Sequence, residues 1–151
     1  MQYDQKFADK VRVWVEGGRG GNGCASYFRE NYGTKIPDGG DGGIGGSVNF
    51  RASNRISSLF ELRRAHFKGN GGKSGKSQKR NGLSGKEINF TVPLGTEIFR
   101  VKKNDKGKPE LGTIEGEYKF KVHDLDEENA TFQAAKGGQP GVGNFKDKSI
   151  Y

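Results

Sequence analysis

The sequence predicts a mainly β protein: a small antiparallel β-barrel or sandwich base presenting three glycine-rich projections. Three observations point there. Short segments alternate apolar and polar residues at the strand period of two. The separators carry turn chemistry, as in Pro93-Leu94-Gly95 and Asn104-Asp105-Lys106-Gly107. Finally, 26 of the 151 residues are Gly, more than twice the roughly 7% of ordinary chains.

Taken in order, Val11-Arg12-Val13-Trp14-Val15 sets three valines on one face of a strand and stops at Gly17. Residues 17–46 then hold twelve glycines in thirty positions, broken by a short aromatic piece at Tyr27 and Phe28. No core can be built from that composition. Alternation resumes at Val48, Phe50 and Ala52, and residues 56–62 suit a turn or two of helix. Four more strands follow, carried by Ile88, Phe90 and Val92, by Glu97 to Val101, by Tyr118, Phe120 and Val122, and by Phe132 and Ala134. Residues 17–46, 67–86 and 136–145 belong to no strand. Insertions longer than about 12 to 15 residues are usually functional or disordered. The chain therefore reads as one domain over 1–151, with a β base from 7–16, 47–62 and 87–135.

Composition narrows the function. Only 30% of residues are hydrophobic and the net charge is +8, a balance close to that of disordered chains. Ten Phe, five Tyr and one Trp argue instead for a modest core. Cys24 has no second Cys to pair with and no nearby His for a zinc site, so it reads as a small packed residue and no metal is expected. No apolar run reaches the roughly 18 residues that cross a bilayer, and the start MQYDQKFADK has neither a signal-peptide core nor an acid-poor transit pattern. A soluble chain is expected, any presequence gone.

A pI near 9.6 favours a polyanionic partner. From Glu61 to Lys86, eight Lys and Arg stand against the single acid Glu61, a net +7 that holds nearly the whole excess.

Nucleotide motifs fail on context. Gly18-Arg19-Gly20-Gly21-Asn22-Gly23 satisfies G-x-G-x-x-G, with Asp38 or Asp41 at the ribose position, yet CASYFRENY meets Gly33 before three helical turns could form. Gly72-Lys73-Ser74 and Gly75-Lys76-Ser77 lack the glycine five positions earlier, where Phe67 and Asn70 stand. His66 and His123 have no recognisable nucleophile, and Asp124, Asp126, Glu127 and Glu128 read as a solvated acidic turn. Asp38 and Asp41, between glycine pairs, are expected to fix local turns in preference to holding a cation.

The repeated Gly pairs allow extended, polyproline-II-like segments to approach closely. Without a strict G-X-Y period collagen is excluded, and the Pro37-Asp38-Gly39-Gly40-Asp41-Gly42-Gly43 punctuation argues against a free linker. The basic tips suit RNA phosphates: Arg19, Asn22, Arg29 and Lys35 on the first projection, Lys68, Lys73, Lys76, Lys79 and Arg80 on the second, Lys136, Asn144 and Lys146 on the third. A membrane is disfavoured because no amphipathic helix is present. Tyr27, Phe28 and Tyr32 are expected to anchor the first projection by packing, with base stacking the lesser role.

GGRGGNGCASYFRE at 17–30, PDGGDGGIGGSV at 37–48, VPLGTEI at 92–98 and AKGGQPGVGN at 135–144, in this order and spacing, resemble the N-terminal domain of Obg-type ribosome-assembly GTPases. The resemblance covers about residues 7–145. It implies polyproline-II helices on a β base, with structural glycines at Gly17, Gly18, Gly20, Gly21, Gly23, Gly39, Gly40, Gly42, Gly43, Gly45, Gly46, Gly137 and Gly138. It also implies loop tips at 20–37, 69–82 and 137–144 that touch large-subunit rRNA near the peptidyl-transferase region late in assembly. The partners it implies are large-subunit rRNA with ribosomal proteins or assembly factors, met by a monomer. GTP and Mg²⁺ are expected only for a following GTPase domain, and no catalytic residue in this chain. The competing reading is a glycine-rich protein-interaction module.

Three features depart from the family pattern. The sequence stops at Tyr151 without a Walker motif, Gln139-Pro140 stands where many members have a basic residue and Gly, and the stretch from Asn31 to Pro37 is short. The pair Tyr27-Phe28 hints at an organellar member, hence the mitochondrial matrix, with the ribosome-associated cytoplasm as alternative.

Overall fold

A computed structural model describes residues 10–63, 66–101 and 119–146. The expected strand and turn positions at 7–9 and 102–118, including Asn104 to Gly107, lie outside the described residues. Among the described residues nine strands run in chain order: β1 (Trp14–Glu16), β2 (Tyr27–Arg29), β3 (Lys35–Pro37), β4 (Val48–Ser53), β5 (His66–Lys68), β6 (Ile88–Pro93), β7 (Thr96–Val101), β8 (Lys119–Leu125) and β9 (Thr131–Ala135). The only helical turns among the described residues are two short 3-10 turns, Phe60–Leu62 and Asn144–Lys146. The helix expected over 56–62 shrinks to the first of these.

The mainly β class holds, but the strands form four small sheets and close no barrel among the described residues. The central sheet has the order β6-β4-β9, with β4 parallel to β6 and antiparallel to β9. β1 pairs with β5 in parallel, β2 and β3 form an antiparallel hairpin, and β7 pairs antiparallel with β8. The antiparallel pairing expected of the base holds for β4–β9 and β7–β8, while β4–β6 and β1–β5 are parallel. Parallel neighbours need a crossover of a dozen or more residues, and the long glycine-rich insertions leave room for them.

Val48, Phe50 and Ala52 point inward along β4 as their alternation predicts, and join Val92 and Leu125 in a small core. Phe67 of β5 lies 3.5 Å, centroid to centroid, from Phe90 of β6, so the β1–β5 pair is packed on the central sheet through aromatic contact. Between β6 and β7, Gly95 adopts φ +83°, the left-handed conformation that its turn requires.

The glycine-rich stretches are folded. They form five extended legs: residues 17–25, 37–46, 69–76, 80–86 and 137–144. Hydrogen bonds between legs recur every third residue. The first leg meets the second through Gly18 N–H to Gly46 O, Gly21 to Gly43 and Cys24 to Gly40, at 2.8 to 2.9 Å. The second meets the third through Gly40 to Lys76, Gly43 to Lys73 and Gly46 to Asn70. The fourth donates to the second from Gly82 and Gly85, continuing the spacing of Lys79 in the turn before it, and the fifth to the first from Gly138, Gly141 and Asn144. Three residues is the repeat of a polyproline-II helix, which makes no hydrogen bonds of its own and leaves its N–H groups free for neighbours.

The second leg is the hub, bonded to all the others. Its pattern, Asp38-Gly-Gly-Asp41-Gly-Gly-Ile44-Gly-Gly-Ser47, keeps one side chain per three residues and leaves two backbone faces bare. Those faces are where neighbours sit. A Cβ on Gly45 would lie 1.8 Å from Gly18 O, and one on Gly137 1.7 Å from Gly45 O.

Candidate nucleic-acid interface

Each leg has one end at the β base and one far from it. At the base end Gly17, Gly46, Gly69, Lys86 and Gly137 adjoin β1, β4, β5, β6 and β9. The far end gathers the β2–β3 hairpin, the turn Ser77-Gln78-Lys79-Arg80 and the turn Asn144–Lys146.

The turn at 77–80 is strained. Gln78 and Lys79 have φ of +61° and +57°, positive at both central positions as in a type I′ turn, where Asn-Gly is usual. Non-glycine residues hold that conformation only when their surroundings impose it. Asp38 imposes it. Its Oδ2 accepts from the Gln78 N–H at 3.0 Å, its carbonyl from the Lys79 N–H at 2.6 Å, and its Oδ1 from the Ser26 hydroxyl at 2.6 Å. Asp38 is 8% exposed, so one buried carboxylate ties the first projection to the second.

Asp41 does the same for the third. Its Oδ1 accepts from the Gly143 N–H at 2.7 Å and its Oδ2 meets Lys146 Nζ at 2.6 Å. The Lys146 hydrogen bond, then the Gly143 N–H, hold its carboxyl below the usual carboxylate range. Local turns were expected of both acids; their partners lie 12 to 105 residues away instead. The two glycine-flanked Asp residues were the visible signal, but their distant partners were not.

The expected phosphate contacts separate into groups. Arg29 and Lys35 on the hairpin, with Lys76, Lys79 and Arg80 at the turn, lie at the far end, all exposed. Arg19, Asn22 and Lys73 are exposed along the flanks of the legs. Lys68 and Lys136 are at the base, and Lys68 sits 3.7 Å from Glu16, which also lies 3.6 Å from His66. Asn144 is occupied within the bundle, its Oδ1 accepting from Gly39 N–H at 2.8 Å and its Nδ2 donating to Ser26 O at 3.0 Å. Lys146, grouped by sequence with the free cations, is paired with Asp41.

Twelve of the thirteen expected structural glycines would bring a Cβ within 2.1 Å of a backbone oxygen, and Gly138 would bring one 2.9 Å from Gly20 N. Gly69, Gly72, Gly75, Gly82, Gly85 and Gly143 are equally tight, and their mostly polar and charged sequence neighbours give no sign of it. G-x-G-x-x-G at 18–23 is part of the first leg and leads into β2, so it opens no helix that could hold a pyrophosphate.

The family model described as GTP1/OBG matches residues 8–150. The chain belongs to this family. It is 38% identical over 145 residues to a GTPase Obg of Rickettsia bellii, covering 95% of this chain and 40% of that protein. It is 40% identical over 145 residues to that of Rickettsia typhi, 95% and 39% covered, and 40% identical over 141 residues to that of Chlorobium phaeobacteroides, 92% and 39% covered. The chain thus spans about two fifths of the length of these GTP1/OBG relatives. Among the described residues, no group of three or more His, Cys, Asp and Glu could hold a metal ion, and no helix is long and apolar enough to cross a membrane.

Proposed function

We propose that this GTP1/OBG-family chain is an rRNA-binding domain acting in late large-ribosomal-subunit assembly, its far-end tips inserting near the peptidyl-transferase region. The observation that carries the reading is the clustering of five exposed cations, Arg29, Lys35, Lys76, Lys79 and Arg80, at one end of a hydrogen-bonded bundle. Asp38 and Asp41, the acids of the hub leg, are engaged internally. Exposed Lys and Arg on a rigid support neutralise phosphates and position the protein. Shape, more than base edges, then selects the site.

In this proposal the legs are polyproline-II helices that stiffen the tips, and the chain acts as a monomer beside ribosomal proteins or assembly factors, without membrane contact. GTP and Mg²⁺ are held outside these residues, by the GTPase domain that the family implies. The proposed compartment is the mitochondrial matrix, with the ribosome-associated cytoplasm as alternative. Co-sedimentation with large subunits and their precursors tests the reading. Binding that weakens with salt and is lost when Lys76, Lys79 and Arg80 become Ala is expected; equal pelleting of variant and wild type refutes it.

A further inference from the structure

We infer that the β2–β3 hairpin is a stacking site for an unpaired nucleobase, with Tyr32 as its platform; the inference rests on the RNA reading above. Packing was expected to anchor the aromatics of this segment, and the structure leaves them bare. Tyr32 is 97% exposed, Phe28 56% and Tyr27 49%.

The hairpin loop holds Tyr32 in place. Gly33 N–H bonds Glu30 O at 2.9 Å and Glu30 N–H bonds Thr34 O at 3.1 Å, while Gly33 takes φ +83°. That is a tight turn followed by a left-handed residue, a common rigid hairpin closure. Tyr32 occupies the third position of the turn, directly before Gly33. A Cβ on Gly33 would meet nothing within 4 Å, so the apex is open to a partner.

Charge complements the aromatics. Arg29 and Lys35 are direct cross-strand partners. Like charges placed opposite each other destabilise a strand pair, and an anion drawn between them removes the penalty. Glu30 is the single carboxylate between Tyr27 and Pro37. The buried Asp38 beyond it binds Ser26 and Gln78. An aromatic apex with paired cations behind it fits a base with its own phosphate, the arrangement by which unpaired nucleotides are held. Duplex RNA offers phosphates without a free base face.

The test uses the full chain with two RNA probes of equal charge: a stem-loop carrying 2-aminopurine in its unpaired loop, and a blunt duplex. Binding is expected to quench the loop 2-aminopurine. Tyr32→Ala is expected to weaken stem-loop binding roughly 5- to 100-fold and to leave duplex binding unchanged, with Tyr32→Phe behaving as wild type. Equal losses on the two RNAs, or none, overturn the stacking site. If Tyr32→Ala matches wild type while Lys76→Ala, Lys79→Ala and Arg80→Ala together abolish binding to both RNAs, stacking falls and the phosphate reading stands. If the wild-type chain binds neither RNA, the RNA reading fails and takes the inference with it.

Discussion

Replacing Gly42 by Ala tests the idea that bare backbone, more than side-chain packing, holds the glycine bundle together. A Cβ at Gly42 would stand 1.9 Å from Gly21 O and 2.3 Å from its carbonyl carbon. Comfortable carbon contacts begin near ~3.5 Å, so the first and second legs must part by about 1.5 Å. Three hydrogen bonds depend on that approach: Gly21 N–H to Gly43 O at 2.8 Å directly across the seam, and Gly42 to Gly141 O at 2.9 Å and Gly141 to Gly21 O at 2.8 Å through the fifth leg, which bonds to both. At about 1 kcal/mol net for each bond, the expected loss is about 3 kcal/mol, a large share of the roughly 5 to 15 kcal/mol that stabilises a domain. Gly71 is the control, because a Cβ there would meet only Arg19 O, at an ordinary 3.6 Å. Gly71→Ala is expected to be neutral or stabilising by up to ~1 kcal/mol, through the unfolded state. Urea denaturation followed by Trp14 fluorescence and circular dichroism compares them. Coincident midpoints for the two variants would refute the close-approach argument.

Other outcomes follow from the clamps and cations. Because the Asp41 carboxyl is held below its usual range by Lys146 and Gly143, its contribution to stability is fully present above about pH 4, the unfolded value. It is lost as pH falls through the lower folded value; the stability gap between wild type and Asp41→Asn should be flat from pH 5 to 7 and close in acid, as measured by denaturation at each pH. Asp38→Ala should free the strained turn, raising amide hydrogen exchange at Gln78 and Lys79 while the β base keeps its protection. With ~4 to 6 phosphates neutralised, the log–log salt dependence of RNA binding should have a slope of about −3 to −5. Mutating Lys76, Lys79 and Arg80 to Ala together should flatten that slope by about 2 to 3, and a slope near zero in wild type would sink the electrostatic account.

The strands of the central sheet were legible because half-buried strands write their period into the chain. Val48, Phe50 and Ala52 alternate, and the fold buries all three. Family membership was legible for a related reason: GGDGGIGG permits close backbone contact on two faces of every turn, and few other sequences do. Even the period of three is present at Asp38, Asp41, Ile44 and Ser47, confined to one leg of a chain that has no strict G-X-Y repeat overall. Positive charge on the second projection was equally plain, since it is a property of composition.

Tertiary structure alone decided which groups meet. Local pattern cannot show that β4 and β6 run parallel, because strand direction depends on how the crossover packs. Nor can it show that Asp41 reaches Lys146 across 105 residues, or that Asn144 is used up bonding Gly39 and Ser26. The same holds for exposure: Tyr32 and Phe67 are both aromatic residues beside glycine-rich sequence, yet Phe67 packs on Phe90 and Tyr32 stands in solvent. Sequence determines which backbones can approach and how much charge each segment carries. Whether a given cation ends up free at a tip or paired inside depends on long-range register, which exists only once the legs have come together.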